Sequence, residues 1–147
     1  MATATTFLSN ATINITQTAV TTDLSDQANN VTITVGFDAL ENTSFQSTSP
    51  QGRSYTQGLQ TVDVSIDFFL SYGASEVEAI LASCVGTGTT TLVISPSGTT
   101  ESASNPEYTI TNCMLTNFTP INSAVGTLAT VTASFTGGTW VRDITTP

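Results

Sequence analysis

Between Gln60 and Leu70 the chain alternates with a period of two. Val62, Val64, Ile66, Phe68 and Leu70 fall on one parity, and Thr61, Asp63, Ser65 and Asp67 on the other, until Phe69 breaks the polar set. Successive side chains of an extended strand point to opposite faces, so this run makes one dry face and one wet face. Two further runs repeat the pattern. Val31, Ile33, Val35 and Phe37 alternate with Thr32 and Thr34. Val125, Ala129, Val131, Ala133 and Phe135 alternate with Leu128, Thr130, Thr132 and Ser134. Three half-wet strands predict a mainly β fold built on antiparallel sheets.

Weaker strand patterns cover 11–20, 90–95 and 107–115, with a short last one at 139–144. Threonine is the commonest residue, and with Val and Ile it supplies the β-branched side chains that fit a pleated surface. Turn signals punctuate the chain at 25–29, 95–98, Asn105-Pro106, Thr119-Pro120 and Gly137-Gly138. One helix is expected over 75–83. Ser75-Glu76-Val77-Glu78 has capping-box spacing, and Val77, Ile80 and Leu81 make one apolar stripe. That helix should cover one side or end of the sheets.

The 147 residues suit a single domain, 1–147, with no internal repeat and no dividing linker. Residues 39–58 are the exception to the β pattern. They are polar, hold Pro50, Gly52 and Gly58, and show no sustained period, so a long loop is expected there. Yet this stretch keeps Phe45, Tyr55 and Arg53, one of the two arginines in the chain. A plain linker needs no aromatics, so the stretch reads as a binding arm that orders against a neighbouring subunit. The competing reading is a surface loop with incidental aromatics.

Charge excludes many functions. Only Arg53 and Arg142 oppose eleven carboxylates, histidine and lysine are absent, and the formal net charge is −9. Two cations cannot neutralise a run of phosphates, and an anionic membrane would repel the chain. Without histidine there is no Ser-His-Asp or Cys-His machinery; without lysine there is no Schiff base. Zinc would lack imidazole, and two cysteines cannot complete a closed site. Asp63 and Asp67, four residues apart on one strand, lie about 13 Å apart, too far for a glycosidase pair at about 5–9.5 Å. The expectation is a protein without catalysis, metal or cofactor.

Cys84 and Cys113 read as small buried hydrophobes, with a disulfide as the alternative. Sequons at Asn10, Asn14, Asn30, Asn42 and Asn117 carry little weight in a chain so rich in Ser and Thr. The first residues, MATATTFLSN, show no basic segment and no apolar run of signal-peptide length, which suggests synthesis in a cytoplasm. Trp140 reads as a core or interface anchor.

From residue 39 onward the order of short motifs resembles a known family. Leu40-Glu41-Asn42-Thr43-Ser44-Phe45 is followed by Tyr55, Gln57-Gly58-Leu59-Gln60 and the alternating strand. Then come Tyr72-Gly73-Ala74, Asn105-Pro106-Glu107-Tyr108-Thr109, Phe118-Thr119-Pro120-Ile121, Val125-Gly126-Thr127-Leu128-Ala129 and Val141-Arg142-Asp143. This series is similar to the major tail, or tail tube, proteins of long-tailed non-contractile bacteriophages. The resemblance implies an antiparallel β-sandwich or barrel protomer. It implies hexameric rings stacked into a hollow tube, contacts with other phage tail proteins, and DNA passing through without specific binding. It places the protein in the virion tail, assembled in the host cytoplasm. The scarcity of Lys and Arg departs from the family pattern.

The residues fit that expectation. A conduit for DNA should repel it, and Thr61, Asp63, Ser65 and Asp67 form a short, hydroxylated, acidic face suited to a lumen. Phe45, Arg53 and Tyr55 are the expected inter-subunit contacts. Two rival readings stay open at this level: a capsid decoration protein and a β-sandwich binding or adhesive module.

Overall fold

The computed structural model describes residues 10–45, 52–98 and 101–145. Eight strands and one helix follow in the order β1 (Thr12–Gln17), β2 (Val20–Asp23), β3 (Ala28–Glu41), β4 (Tyr55–Phe69), α1 (Val77–Cys84), β5 (Thr90–Ser95), β6 (Glu107–Asn117), β7 (Thr130–Thr136) and β8 (Thr139–Asp143). All strand pairs are antiparallel, in the path β2-β1-β5-β6-β7-β4-β3, with β8 beside β6. The fold is mainly β with one short helix, as the alternating runs require.

One strand joins the two halves of this sheet. The first part of β6 pairs with β8 from Glu107↔Asp143 to Thr111↔Thr139. Its last part pairs with β7 through Met114↔Thr136 and Leu115↔Phe135. Between them Asn112 takes a left-handed φ of 62°, and on the partner side Gly137 and Gly138 have φ of 89° and 85°. Both strands of the pair therefore turn a corner together, and the sheet folds over on itself. Ile13, Ile15, Leu92, Ile94 and Ile110 from one half meet Val62, Val64, Ile66, Phe68, Val131, Ala133 and Phe135 from the other in one buried cluster. The dry parity of the 60–70 run is the centre of that core.

The helix seals this core from the side. Val77, Leu81 and Cys84 are buried, at i, i+4 and i+7. The expected capping box does not form. Ser75 has φ 67°, the N-cap residue is Glu76, and no side chain of the helix start caps it. Ser71 serves instead: its Oγ accepts from the Val77 N–H at 3.3 Å and its carbonyl from the Glu78 N–H at 3.1 Å. Thr87 Oγ donates to the Cys84 carbonyl at 3.0 Å, satisfying an orphan group at the other end. Both cysteines are free and buried.

Three other expectations change. Residues 11–20 do not make one strand, because Thr18 and Ala19 (φ 53° and 63°) form a two-residue turn between β1 and β2. The strand expected from Val125 begins only at Thr130. Gly126 has φ 83° and the Thr127 N–H bonds to the Ala124 carbonyl at 3.1 Å, so a turn interrupts the alternation. The long loop expected at 39–58 is largely a hairpin: Ala39↔Gln57, Leu40↔Thr56 and Glu41↔Tyr55 continue the β3–β4 ladder. Asn42 N–H to the Ser54 carbonyl (2.8 Å) and Ser54 N–H to Thr43 Oγ (2.8 Å) carry it further. The pairing is irregular between Phe37 and Ala39, where Gly58 lies so close to Asp38 that a Cβ would meet it at 2.9 Å. Only the middle of the expected loop, 46–51, lies outside the described residues. Among the described residues no helix is long and apolar enough to cross a membrane.

Candidate functional site

The wet parity of β4 is the middle row of a three-strand polar face. Register sets Thr34, Asp63 and Thr136 side by side, then Thr32, Ser65 and Ser134, then Asn30, Asp67 and Thr132. Asp67 is held from both flanks: Asn30 Nδ2 donates to its Oδ2 at 3.1 Å and Thr132 Oγ to its Oδ1 at 2.6 Å. Thr136 Oγ donates to Asp63 Oδ1 at 3.3 Å. Thr61 continues the row opposite Gly36, where the hairpin leaves the core. The charges on this face are carboxylates, and every other outward side chain in these three rows is a hydroxyl or an amide. A shallow depression of about 230 Å³ runs between Thr32, Thr34, Asp63, Ser65, Ser134 and Thr136.

Hydroxyl donors to a carboxylate satisfy it without neutralising it, so the face stays anionic. Among the described residues no group of three or more His, Cys, Asp or Glu could hold a metal ion. Sequence reasoning found the β4 row. It missed Asn30, Thr32, Thr34, Thr132, Ser134 and Thr136 as its flanks, because that requires the register between strands distant in sequence. Their alternation was the available signal.

The arm residues stand elsewhere. Phe45 is fully exposed, Arg53 is exposed, and Tyr55 is about half exposed at the start of β4. The hairpin adds exposed Leu40 and Leu59, which periodicity alone did not single out, and Phe37, which the alternation placed on the dry face with Val31, Ile33 and Val35, is exposed where β3 runs past the core. The structure does not bring the acidic row and the arm together: Asp67 and Tyr55 are twelve positions apart along one strand, roughly 40 Å at about 3.3 Å per residue.

A second apolar group lies beyond the other end of β4. Tyr72 donates through its hydroxyl to the Pro120 carbonyl at 2.8 Å, and the Leu70 N–H bonds to the Ala129 carbonyl at 2.9 Å. These bonds bind the segment after β4 to the β6–β7 connection, where Ile121, Val125 and Leu128 are all largely exposed. Trp140 is half-buried against the core, its ring tilted on Tyr108 at 6.1 Å, with a buried indole N–H that finds no partner.

No protein-family model matches the chain, and no curated protein matches it. Solved structures do. A chain of the sheath/tube terminator of an extracellular contractile injection system, PVC, in its extended state, is 11% identical with a TM-score of 0.65. The match covers 97% of this chain and 99% of that one. A chain of the sheath-tube complex of the same system is 10% identical with a TM-score of 0.61, over 92% and 89% of the two chains. A chain from the tail of an empty GTA particle, refined with C6 symmetry, is 10% identical with a TM-score of 0.56, over 91% and 94%. The chain thus shares its fold, along nearly its whole length, with components of tail-like particles.

Proposed function

We propose that this protein is a structural subunit of a phage-like tail tube. Its copies close into hexameric rings, the rings stack, and the face bearing Thr61, Asp63, Ser65 and Asp67 lines the bore. One observation carries the reading: three adjoining strands present carboxylates and hydroxyls without a cation, on the side of the sheet facing away from the core. A wall of like charge keeps DNA moving through instead of adhering. The strip β3-β4-β7 ends on one side in β3, whose outer edge pairs with no other strand among the described residues, whereas at the end of β6 the Leu115 carbonyl accepts from the Gly86 N–H at 3.2 Å. An edge strand such as β3 favours closure against a further copy. The C6 and sixfold symmetry in the descriptions of related particles supports a ring of six. The protein acts without catalysis, beside other tail proteins, in the particle's tail.

The order of short motifs favours a non-contractile tail, whereas several structural neighbours belong to contractile systems. The same protomer suits a tube with or without a sheath. A head-decorating role or an adhesive module accounts less well for the neighbours, which come from tails, tubes and their terminators.

The test is electron microscopy of the purified, concentrated protein. Rings or open tubes with a central hole are expected. Uniform monomers, together with labelling of particle heads instead of tails, would replace this reading with decoration. Particles carrying Asp63→Lys and Asp67→Lys should assemble but deliver DNA more slowly; delivery at the normal rate would remove the acidic row from the bore.

A further inference from the structure

The core is open on one side. Val31, Ile33 and Val35, the dry parity of β3, pack against it but stay partly exposed, whereas their β4 partners Ile66, Val64 and Val62 are buried. Among the described residues β3 pairs with β4 alone. Beside it lies a cleft of about 170 Å³. Val31 and Ile33 form one wall, and Ala11, Ile94, Pro96 and Tyr108 of the opposite half form the other. The Ser95 hydroxyl at its rim is already engaged, donating to the Ser97 carbonyl at 2.9 Å and meeting Thr12 Oγ at 2.6 Å. Water needs about two to four polar partners, so this space suits an apolar occupant. Its size suits a ring, since an apolar cavity of about 150 Å³ takes up benzene.

The chain brings such a ring to the cleft. Ala11 lines it, and Asn10 is fixed beside it: Asn10 bridges to Ser97, and its Nδ2 lies 3.1 Å from where a Cβ of Gly98 would stand. Residues 1–9 lie outside the described residues, and the sequence there offers Phe7 and Leu8 next to small and polar side chains. Phe7 keeps the parity of Ala11, Ile13 and Ile15, whose isoleucines are buried, and Leu8 falls on the other. Four residues reach about 13 Å from Ala11. The cleft runs from β1 across β5 to β6, two strand spacings or about 10 Å. Phe7 is therefore within reach of its middle. A short tether also holds it there at an effective concentration on the order of millimolar, which favours the chain's own segment over that of a second copy.

We propose that residues 7–9 fold back over the end of the β1-β5-β6 sheet and that the Phe7 ring fills this cleft. The segment then acts as a clasp. It ties β3, the edge strand, to the opposite half of the sandwich through Val31 and Ile33, and leaves the outer edge of β3 free. The inference goes beyond the tube reading and does not depend on it, because it concerns a single chain.

The experiment puts p-azidophenylalanine in place of Phe7 in the full chain, at a concentration below ring formation. Isotopically heavy and light protein are mixed in equal amounts before illumination, and the products are mapped by mass spectrometry. Attachment within one chain to Val31, Ile33, Pro96 or Tyr108 is expected. Attachment to another copy, attachment outside the cleft, or no attachment to protein overturns the proposal. A second measurement removes the ring. Phe7→Ala should speed hydrogen exchange of the β3 amides about tenfold, as the loss of a buried ring implies, and Leu8→Ala should leave it unchanged. Equal exchange in the two variants would overturn the proposal as well.

Discussion

A Cβ on Gly138 would stand 2.2 Å from the carbonyl oxygen of Thr111, with Asn112 crowding it as well. At the neighbouring Gly137 a Cβ would meet nothing within 4 Å, although both residues have left-handed φ. The corner where β6 and the β7–β8 pair bend thus depends on backbone contact at one glycine and on conformation alone at the other. Gly138→Ala should cost about 3 kcal/mol, and Gly137→Ala about 1 kcal/mol. Urea unfolding of the two variants checks the ranking; equal losses would show that the corner relaxes around an added methyl.

The β1–β2 turn carries its own strain. A two-residue hairpin turn with both φ positive suits Asn-Gly, and here it holds Thr18, which is β-branched, and Ala19. Thr18→Asn with Ala19→Gly should stabilise the protein by about 1–2 kcal/mol. A higher urea midpoint with an unchanged slope is the expected result. No rise would mean that the turn already relaxes.

Glu107 faces Asp143 directly across the β6–β8 pair. Burial, then a hydrogen bond and repulsion from Glu101, then repulsion from Asp143 raise its carboxyl above the ordinary glutamate range. Thr145 donates backbone and side-chain hydrogen bonds to Asp143, which lowers its carboxyl, so as pH falls Glu107 takes up a proton before Asp143 does. A carboxyl that is raised on folding favours the folded state below its unfolded value and loses that contribution as pH rises through the folded one. Glu107→Gln should therefore stabilise the protein at pH 7 and gain nothing further relative to the parent below about pH 4. Midpoints measured across that range decide it; a constant difference would refute the titration.

Burial pushes the Cys113 thiol up to about 12, with Cys84 close enough to add to the rise, and burial raises Cys84 too. The Cys113 thiol reaches the Thr90 carbonyl at 3.3 Å. Thiolate is the reactive form, so a thiol reagent at pH 8 should modify neither residue in the folded protein. Labelling should follow global unfolding in its denaturant dependence. Rapid labelling under native conditions would show that the helix lifts from the sheet.

The core was legible because the chain alternates where the strands are wet on one side. Val62, Val64, Ile66 and Phe68 were readable as one face before any register was known. What stayed hidden follows from long-range geometry. Val125 and Ala129 keep the parity of Val131, yet a turn at Gly126 takes that segment out of the sheet, and parity carries no information about φ. The hairpin at 39–58 looked structureless because neither of its faces is buried, so its pairing left no hydrophobic trace. Of the acidic face, the β4 row could be read and its two flanks could not, since hydrogen bonds from Asn30 and Thr132 to Asp67 join residues 37 and 65 positions away.

Thr12 pairs with Ser95, 83 positions later, and their hydroxyls meet at 2.6 Å. Closing so wide a span requires entropy to be lost before any contact repays it, so a fold built on such pairings forms slowly. During synthesis β1 emerges long before β5 exists. Ile13 and Ile15 must wait, with no place to go, until most of the chain has followed. The earliest strand of the ladder completes its pairing only after β5 has followed it.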